Sequence, residues 1–324
     1  MTCLVTGGAG FIGSHTVDAL LRRGDQVICL DNFTPYYDPE RKRRNLAWAA
    51  TQPGFTLVEA DIRDAEALAG VFERYRPRGV VHLAALPGPR PSIANPALYA
   101  QVNVGGTVHL LDLARRYEVE RFVLASTSSV YGRASRLPFE ECDSTDRPLS
   151  PYAATKKAAE VLGYTFHSLY GTPMSVVRFF TVYGPRGRPD MTPYVFVDRM
   201  VRGQPIVLFE RGVELYRDYT YVDDIVAGVV AALDRAQGYE IFNLGNSSPV
   251  ELQRFVALLE QITGIRAVIE ARPLPPTEPP ITYASTEKAA RMLGFRAGTR
   301  VEEGLARFWE WYQQEVLPDH RSRP

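Results

Sequence analysis

Two hydrophobic patterns alternate through the first half of the chain. Short, nearly continuous apolar runs read as buried strands: Thr2-Cys3-Leu4-Val5-Thr6, Gln26-Val27-Ile28-Cys29-Leu30, Phe55-Thr56-Leu57-Val58-Glu59-Ala60, Gly79-Val80-Val81-His82-Leu83 and Arg121-Phe122-Val123-Leu124-Ala125. Between them lie stretches with apolar residues three and four apart, which predict helices ending near Gly24 and Ala50, and spanning Ala65 to Tyr75 and about Ala97 to Tyr117. A succession of βα units of this kind predicts an α/β fold with a parallel, doubly wound sheet, its ligands at the carboxyl ends of the strands. Past Val176-Val177-Arg178-Phe179 the alternation breaks, and Pro, Arg and aromatic residues dominate up to Tyr221. Asp223 to Ala232 returns as a helix and Ile241-Phe242-Asn243-Leu244-Gly245 as a last sheet strand. Helices near Val250–Ile262, Glu287–Leu293 and Val301–Gln314 then predict a smaller C-terminal lobe. The expected division is residues 1–179 with 223–246 as one domain, 180–222 with 247–318 as a substrate-binding lobe, and 319–324 as a polar tail.

Charge and cysteine content narrow the function classes. Lys+Arg and Asp+Glu are both 37 in 324 residues, so no net field favours nucleic acid or an anionic membrane. The cluster Arg41-Lys42-Arg43-Arg44 reads as a solvated helix face, with a phosphate contact as the alternative. Three cysteines without paired spacing and five histidines without ligand spacing predict neither a disulfide framework nor a metal site. The chain starts directly in a strand and holds no long apolar run, from which a cytoplasmic protein is expected.

Candidate chemistry begins at the first strand's end, Gly7-Gly8-Ala9-Gly10-Phe11-Ile12-Gly13. Strand, glycines at Gly7, Gly10 and Gly13, then helix is the arrangement in which backbone N–H groups approach a pyrophosphate and the helix directs its positive end at it. Asp31 ends the second strand, about 20 residues on, where a carboxylate meets the ribose 2′-hydroxyl of NAD and repels the 2′-phosphate of NADP. Asn32 follows it; Asp61 and Ile62, at the end of the third strand, suit contact with adenine. Leu83 ends the fourth strand, and Ala84 and Ala85 follow it where their small side chains let a cofactor lie close.

Farther on, Ser150-Pro151 predicts a helix start, serine at the N-cap and proline in the first turn. The helix carries Tyr152 and Lys156, four apart and therefore on one face. Ala125-Ser126-Thr127-Ser128-Ser129 leaves its strand at the same sheet edge, so a hydroxyl, a phenol and an ammonium converge there. An unperturbed tyrosine, pKa about 10, is too weakly acidic to serve as a base near neutrality. A neighbouring Lys156 cation and a positive nicotinamide are expected to lower it.

With TGGAGFIG, the HLAA segment, Asn103, the Ser-Thr pair, Tyr152 with Lys156, and Tyr216-Arg217-Asp218-Tyr219 before Val222-Asp223-Asp224, the chain resembles the extended short-chain dehydrogenase/reductases, and among them the nucleotide-sugar epimerases and dehydratases. The resemblance implies a Rossmann-type sheet and an NAD cofactor. It implies Tyr152 as catalytic base, Lys156 as a ligand of the nicotinamide ribose, Thr127 as a hydrogen-bond partner of the reacting sugar oxygen, and Asn103 near the cofactor. Dehydratases of this group carry acids just before the Val-Tyr-Gly; here Ser128 and Ser129 stand there, which favours epimerisation through a transient 4-keto sugar and hydride return to its opposite face. Thr181, the Gly-Arg-Pro-Asp-Met segment from Gly187 and Tyr36-Tyr37-Asp38 resemble epimerases acting on UDP-glucuronate. UDP-glucose/UDP-galactose epimerisation, or a non-catalytic NAD-binding sensor, are the alternatives. Arg90, Ser128, Ser129, Thr181, Arg186, Arg188, Arg217 and Glu278 are the candidate sugar-nucleotide contacts. Arg188 is expected on the sugar carboxylate with Arg90 as its rival, and Arg217 on the phosphates. The usual arginine before the acid of the second lobe is missing at Glu278. A homodimer is expected, since related enzymes pair helices equivalent to 97–117 and 151–170 and both carry apolar stripes: Val104, Val108, Leu111 and Ala158, Leu162, Phe166.

Overall fold

Side chains alternate across the strands, as a sheet covered on both faces requires. The computed structural model describes residues 1–133, 136–275 and 279–318. In it Cys3, Val5, Val27, Cys29 and Val81 pack on one face, and Leu4, Ile28, Leu30, Val80 and Phe122 on the other. The strands concerned are β1 (Thr2–Thr6), β2 (Gln26–Asp31), β3 (Phe55–Glu59), β4 (Gly79–His82) and β5 (Arg121–Thr127), joined by β6 (Met174–Phe179) and, later in the chain, Tyr239–Leu244. All seven run parallel, in the order Tyr239–Leu244, β6, β5, β4, β1, β2, β3. The order reverses between β1 and β4, and a crevice opens there at the strands' carboxyl ends. His82 ties this junction together, one ring nitrogen 2.7 Å from the Thr6 hydroxyl and the other 3.0 Å from the Thr107 hydroxyl.

Helices α1 (Phe11–Arg22), α2 (Pro39–Asn45), α3 (Ala65–Tyr75), α4 (Pro89–Ala94), α5 (Pro96–Ala100), α6 (Gly106–Arg116) and α7 (Pro151–Tyr170) connect the strands. Two depart from expectation. The helix expected to reach Ala50 stops at Asn45, whose side-chain amide donates to the Ala9 carbonyl at 3.0 Å, and buried Leu46 and Ala49 then turn the chain into the core. The single helix expected over 97–117 is divided by a π turn, Gln101–Gly105, between α5 and α6. The wider turn lets Asn103 bond both backbone groups of Leu86, accepting from its N–H at 2.7 Å and donating to its C=O at 3.1 Å. α7 starts as expected, the Ser150 hydroxyl accepting from the Ala153 N–H at 3.2 Å. Of the expected dimer stripes, Leu111 is corrected: it is wholly buried against its own sheet, while Val161, Tyr164 and Leu169 of α7 stand exposed.

After β6 the chain forms β7 (Thr181–Tyr183), α8 (Thr192–Val201), β8 (Ile206–Phe209), β9 (Tyr216–Arg217), β10 (Tyr219–Tyr221) and α9 (Val222–Asp234) before the sheet strand β11 (Tyr239–Leu244). α10 (Leu252–Thr263), α11 (Glu287–Leu293) and α12 (Val301–Glu315) follow, near the expected positions. The short strands pair only with one another, β7 with β10 and β8 with Ile269–Arg272. Among the described residues no helix is long and apolar enough to cross a membrane, and no group of His, Cys, Asp and Glu could hold a metal ion.

Candidate active site

At the sheet's switch point the glycine loop is pressed against the end of β4. A Cβ on Gly7, where φ is +68°, would stand 2.7 Å from the Ala84 nitrogen, and one on Gly13 would stand 2.0 Å from the Gly7 carbonyl oxygen. Backbone N–H groups of Gly7 and Gly8 both point to the Leu30 carbonyl, at 2.7 and 3.3 Å, which binds the loop to β2. Asp31 fixes the loop from the other side. Its carboxylate accepts from the N–H of Ala9 (3.2 Å) and of Phe33 (2.8 Å), with the Lys42 ammonium 3.4 Å away. Asn32 donates to Asp61 at 2.9 Å, and Arg63 grips both oxygens of Asp61, holding that carboxyl down to about pKa 2. Of these, Gly7, Gly13, Asp31, Asn32, Lys42, Asp61 and Arg63, with Phe11, Ile12, Ile62, Leu83, Ala84 and Ala85, line one cavity of about 500 Å³. Its shape suits a dinucleotide: a cradle with no room for side chains at one end and a carboxylate at the other.

The same cavity runs on to the ends of β5 and α7. Thr127, Ser128, Ser129, Tyr152, Lys156, Thr181 and Arg188 line it. The Thr127 hydroxyl accepts from the Ser129 N–H at 3.2 Å, and Thr127 lies close enough to the Tyr152 phenol to favour its ionised form. Tyr99 meets the Tyr152 ring edge-on, with centroids 6.4 Å apart. Burial raises the Tyr152 pKa, and the groups acting against burial are Thr127 and the Arg188 guanidinium. The expectation that Lys156 lowers it is therefore corrected. Lys156 is itself deeply buried, which pulls its ammonium down to about pKa 8 against the opposing charge of Glu160. Arg188 donates through Nε and Nη2 to the two oxygens of Asp190, both at 2.9 Å.

A family model, NAD dependent epimerase/dehydratase, matches residues 3–245. The chain belongs to that family. A UDP-glucuronate 4-epimerase of Thermodesulfobacterium geofontis is 42% identical, over 97% of this chain and 96% of that protein. A crystal structure of the Bacillus cereus UDP-glucuronic acid 4-epimerase with UDP-glucuronic acid and NAD superposes with a TM-score of 0.91 at 33% identity, covering 97% of this chain and 99% of that one. A Thermotoga maritima UDP-glucose 4-epimerase with UDP-glucose gives 0.89 at 33% identity, covering 98% of this chain and all 100% of that one.

Not every residue expected at the site of this family member lies on the cavity. Asn103 stands behind the wall, where its amide also donates to Thr155 at 3.1 Å, so it braces the Leu86 segment. Arg90 lies over the Phe209 ring, 5.1 Å from its centroid, and is not among the cavity's lining residues. Arg186 turns away to Asp18, 2.9 Å distant, and Arg217 donates to the carbonyls of Tyr216 and Pro280, each at 2.9 Å. Glu278 lies outside the described residues, as does the 319–324 tail. Lys42, Tyr36 and Tyr37, which sequence reasoning noted but did not place among the site contacts, all line the cavity. Lys42 corrects the reading of 41–44 as a solvated face: it is buried, whereas Arg43 and Arg44 are exposed. Its signal was the pair Lys42 and Asn45, three apart, turned toward the glycine loop.

Proposed function

We propose that the protein catalyses NAD-dependent C4 epimerisation of UDP-glucuronate to UDP-galacturonate. The observation that carries the uronate is Arg188, whose guanidinium lines the same cavity as Tyr152, Thr127 and Thr181. In this reading Gly7, Gly10, Gly13, Asp31 and Lys156 hold the dinucleotide, on the side formed by 1–179 and 223–246, and the remaining lobe covers the sugar nucleotide. NAD, when bound, supplies the hydride acceptor and donor, and its cationic ring favours the phenolate of Tyr152. Tyr152 then takes the proton of the 4-hydroxyl and later returns it, while the Thr127 hydroxyl keeps that oxygen in line with the phenol. Lys156 donates hydrogen bonds to the ribose. Ser128 and Ser129 supply no acid for elimination, so the 4-keto sugar is retained until its other face is presented. A sensor without catalysis has no use for a phenol and a threonine hydroxyl converging on one cavity in this way. Incubation of the NAD-loaded protein with UDP-glucuronate, and separately with UDP-glucose, followed by NMR of the sugar ring, tests the reading. Conversion of UDP-glucose alone overturns the uronate assignment, and conversion of neither overturns the enzyme.

The carboxylate contact has its own test. Arg188→Met removes a charged, two-pronged donor set from a partly buried cleft, a loss of about 2–3 kcal/mol, on the order of 10²-fold in kcat/KM for UDP-glucuronate. The effect on UDP-glucose is expected to be much smaller, and steady-state kinetics on both sugars measure the difference. Equal losses would place Arg188 in loop bracing instead.

We also propose a homodimer through α6 and α7. The supporting observation is the exposure of Val161, Tyr164 and Leu169, with Val104 and Val108 part-exposed beside them. Light scattering at micromolar concentration is expected to give twice the mass of the 36.2 kDa chain, and Val161→Glu is expected to shift it to monomer.

A further inference from the structure

Arg188 does not reach its place unaided. Asp190 takes its side-on edge, Nε and Nη2, in two bonds of 2.9 Å. Among the described residues, no acceptor is paired with Nη1, so the end-on fork of Nη1 and the second Nη2 hydrogen remains available to the cavity that Arg188 lines. Asp190 is held in turn by the Tyr36 phenol, which donates to it at 3.0 Å across 154 residues of sequence. The same phenol lies 3.4 Å from the Pro87 carbonyl, a weaker alternative for its single proton, and the Arg188 guanidinium sits 5.9 Å from the Tyr36 ring centroid. Tyr99, edge-on to Tyr152, donates to that same carbonyl. One chain of contacts therefore runs from Asp190 through Tyr36 and Pro87 to the ring beside the phenol of Tyr152.

We propose that Asp190, anchored by Tyr36, is a positioning residue that turns the end-on fork of Arg188 toward the sugar carboxylate and keeps that carboxylate from leaving as CO2. The inference rests on the proposed uronate reading. In a 4-keto uronate the C5–C6 bond can break heterolytically. Its electron pair enters the C4 carbonyl to give an enolate, CO2 departs, and C5 takes up a proton. Breakage requires that bond to lie parallel to the carbonyl π orbitals, so a guanidinium with one fixed orientation suppresses it by holding the carboxylate out of alignment. A guanidinium free to swivel does not. Arginine suits the task because its planar fork can be gripped on one edge while it grips with another.

The test uses the full chain loaded with NAD, measuring the fraction of UDP-glucuronate turnover that releases CO2, alongside kcat/KM for UDP-glucuronate and UDP-glucose. Asp190→Ala is expected to raise the CO2-releasing fraction roughly tenfold or more, and to lower kcat/KM for the uronate more than for UDP-glucose. Tyr36→Phe is expected to move the partition the same way by a smaller factor. An unchanged partition in folded Asp190→Ala overturns the proposal, and so does an equal loss on both sugars with a lowered melting temperature, the mark of a merely structural role. If wild-type protein leaves UDP-glucuronate unconverted, the uronate reading fails first; if wild type converts it and only the Asp190 and Tyr36 variants behave normally, this inference alone fails.

Discussion

Tyr152→Phe is expected to lower kcat by about 10²- to 10⁴-fold, the range that a positioned acid–base group supplies, while folding and NAD binding persist. The ring loses only its oxygen, so its edge-on contact with Tyr99 survives. What disappears is the phenol oxygen facing Thr127 in the cavity, the atom that the proposed mechanism uses to exchange a proton with the sugar. The pH dependence has a definite sign. Burial holds the phenol above its ordinary pKa, and a base acts in its deprotonated form, so wild-type kcat is expected to climb with pH as Thr127, Arg188 and the bound cationic cofactor draw the phenolate out. The Phe variant has no such limb. Stopped-time NMR assays across pH, with NAD content checked by absorbance, measure both effects. Near-normal kcat in the variant would remove Tyr152 from the mechanism.

Behind the site, Glu160→Ala is expected to cost about 3–5 kcal/mol of stability, because it strips the partner from a charge with no access to water. Arg178 and Glu160 are each 1% exposed, and Arg178 gives Nε and Nη2 to the two Glu160 oxygens at 2.9 and 2.8 Å. Ser126 donates to the same carboxylate at 2.5 Å. Without Glu160 the guanidinium keeps the Tyr131 hydroxyl at 2.9 Å, a neutral acceptor that cannot compensate it. Urea unfolding reads the loss. The double change Glu160→Met, Arg178→Met is expected to recover much of it, since a pair removed together leaves no orphaned charge. The single variant should lose activity as well. Glu160 is the charge that opposes the downward pull of burial on Lys156, so its removal leaves the ammonium still easier to deprotonate.

Much of this was legible in the sequence, and the reasons are local. Gly7, Gly10 and Gly13, Asp31, and the pair Tyr152 and Lys156 announce themselves because strand ends and helix faces place residues by short-range geometry. Ser150 did the same for the start of α7. Lys42, Tyr36 and Asp190 were not legible as site residues. Tyr36 and Asp190 meet only because the loop after β2 and the turn before α8 fold onto one another, and no period links residues 154 apart. Strands such as β9, with two residues, are too short to show alternation at all. Arg217 and Arg186 were placed by likeness of motif, and the backbone carbonyls and the Asp18 carboxylate that engage them lie in segments remote from those motifs.

The π turn at Gln101–Gly105 adds a residue within the run that hydrophobic spacing over 97–117 predicts as one helix. Such a turn contains one residue more than the α turn it replaces, so the flanks keep the facing they would have in a helix one residue shorter. Leu98 upstream still reaches the cavity, and Leu110 and Leu111 downstream still reach the sheet. The helix thus tolerates a supernumerary residue without a shift of phase, and invests it in the widened loop from which Asn103 clasps Leu86. Shortening this stretch by one residue would leave both packed flanks in register while removing the wide turn from which Asn103 bonds Leu86 and Thr155.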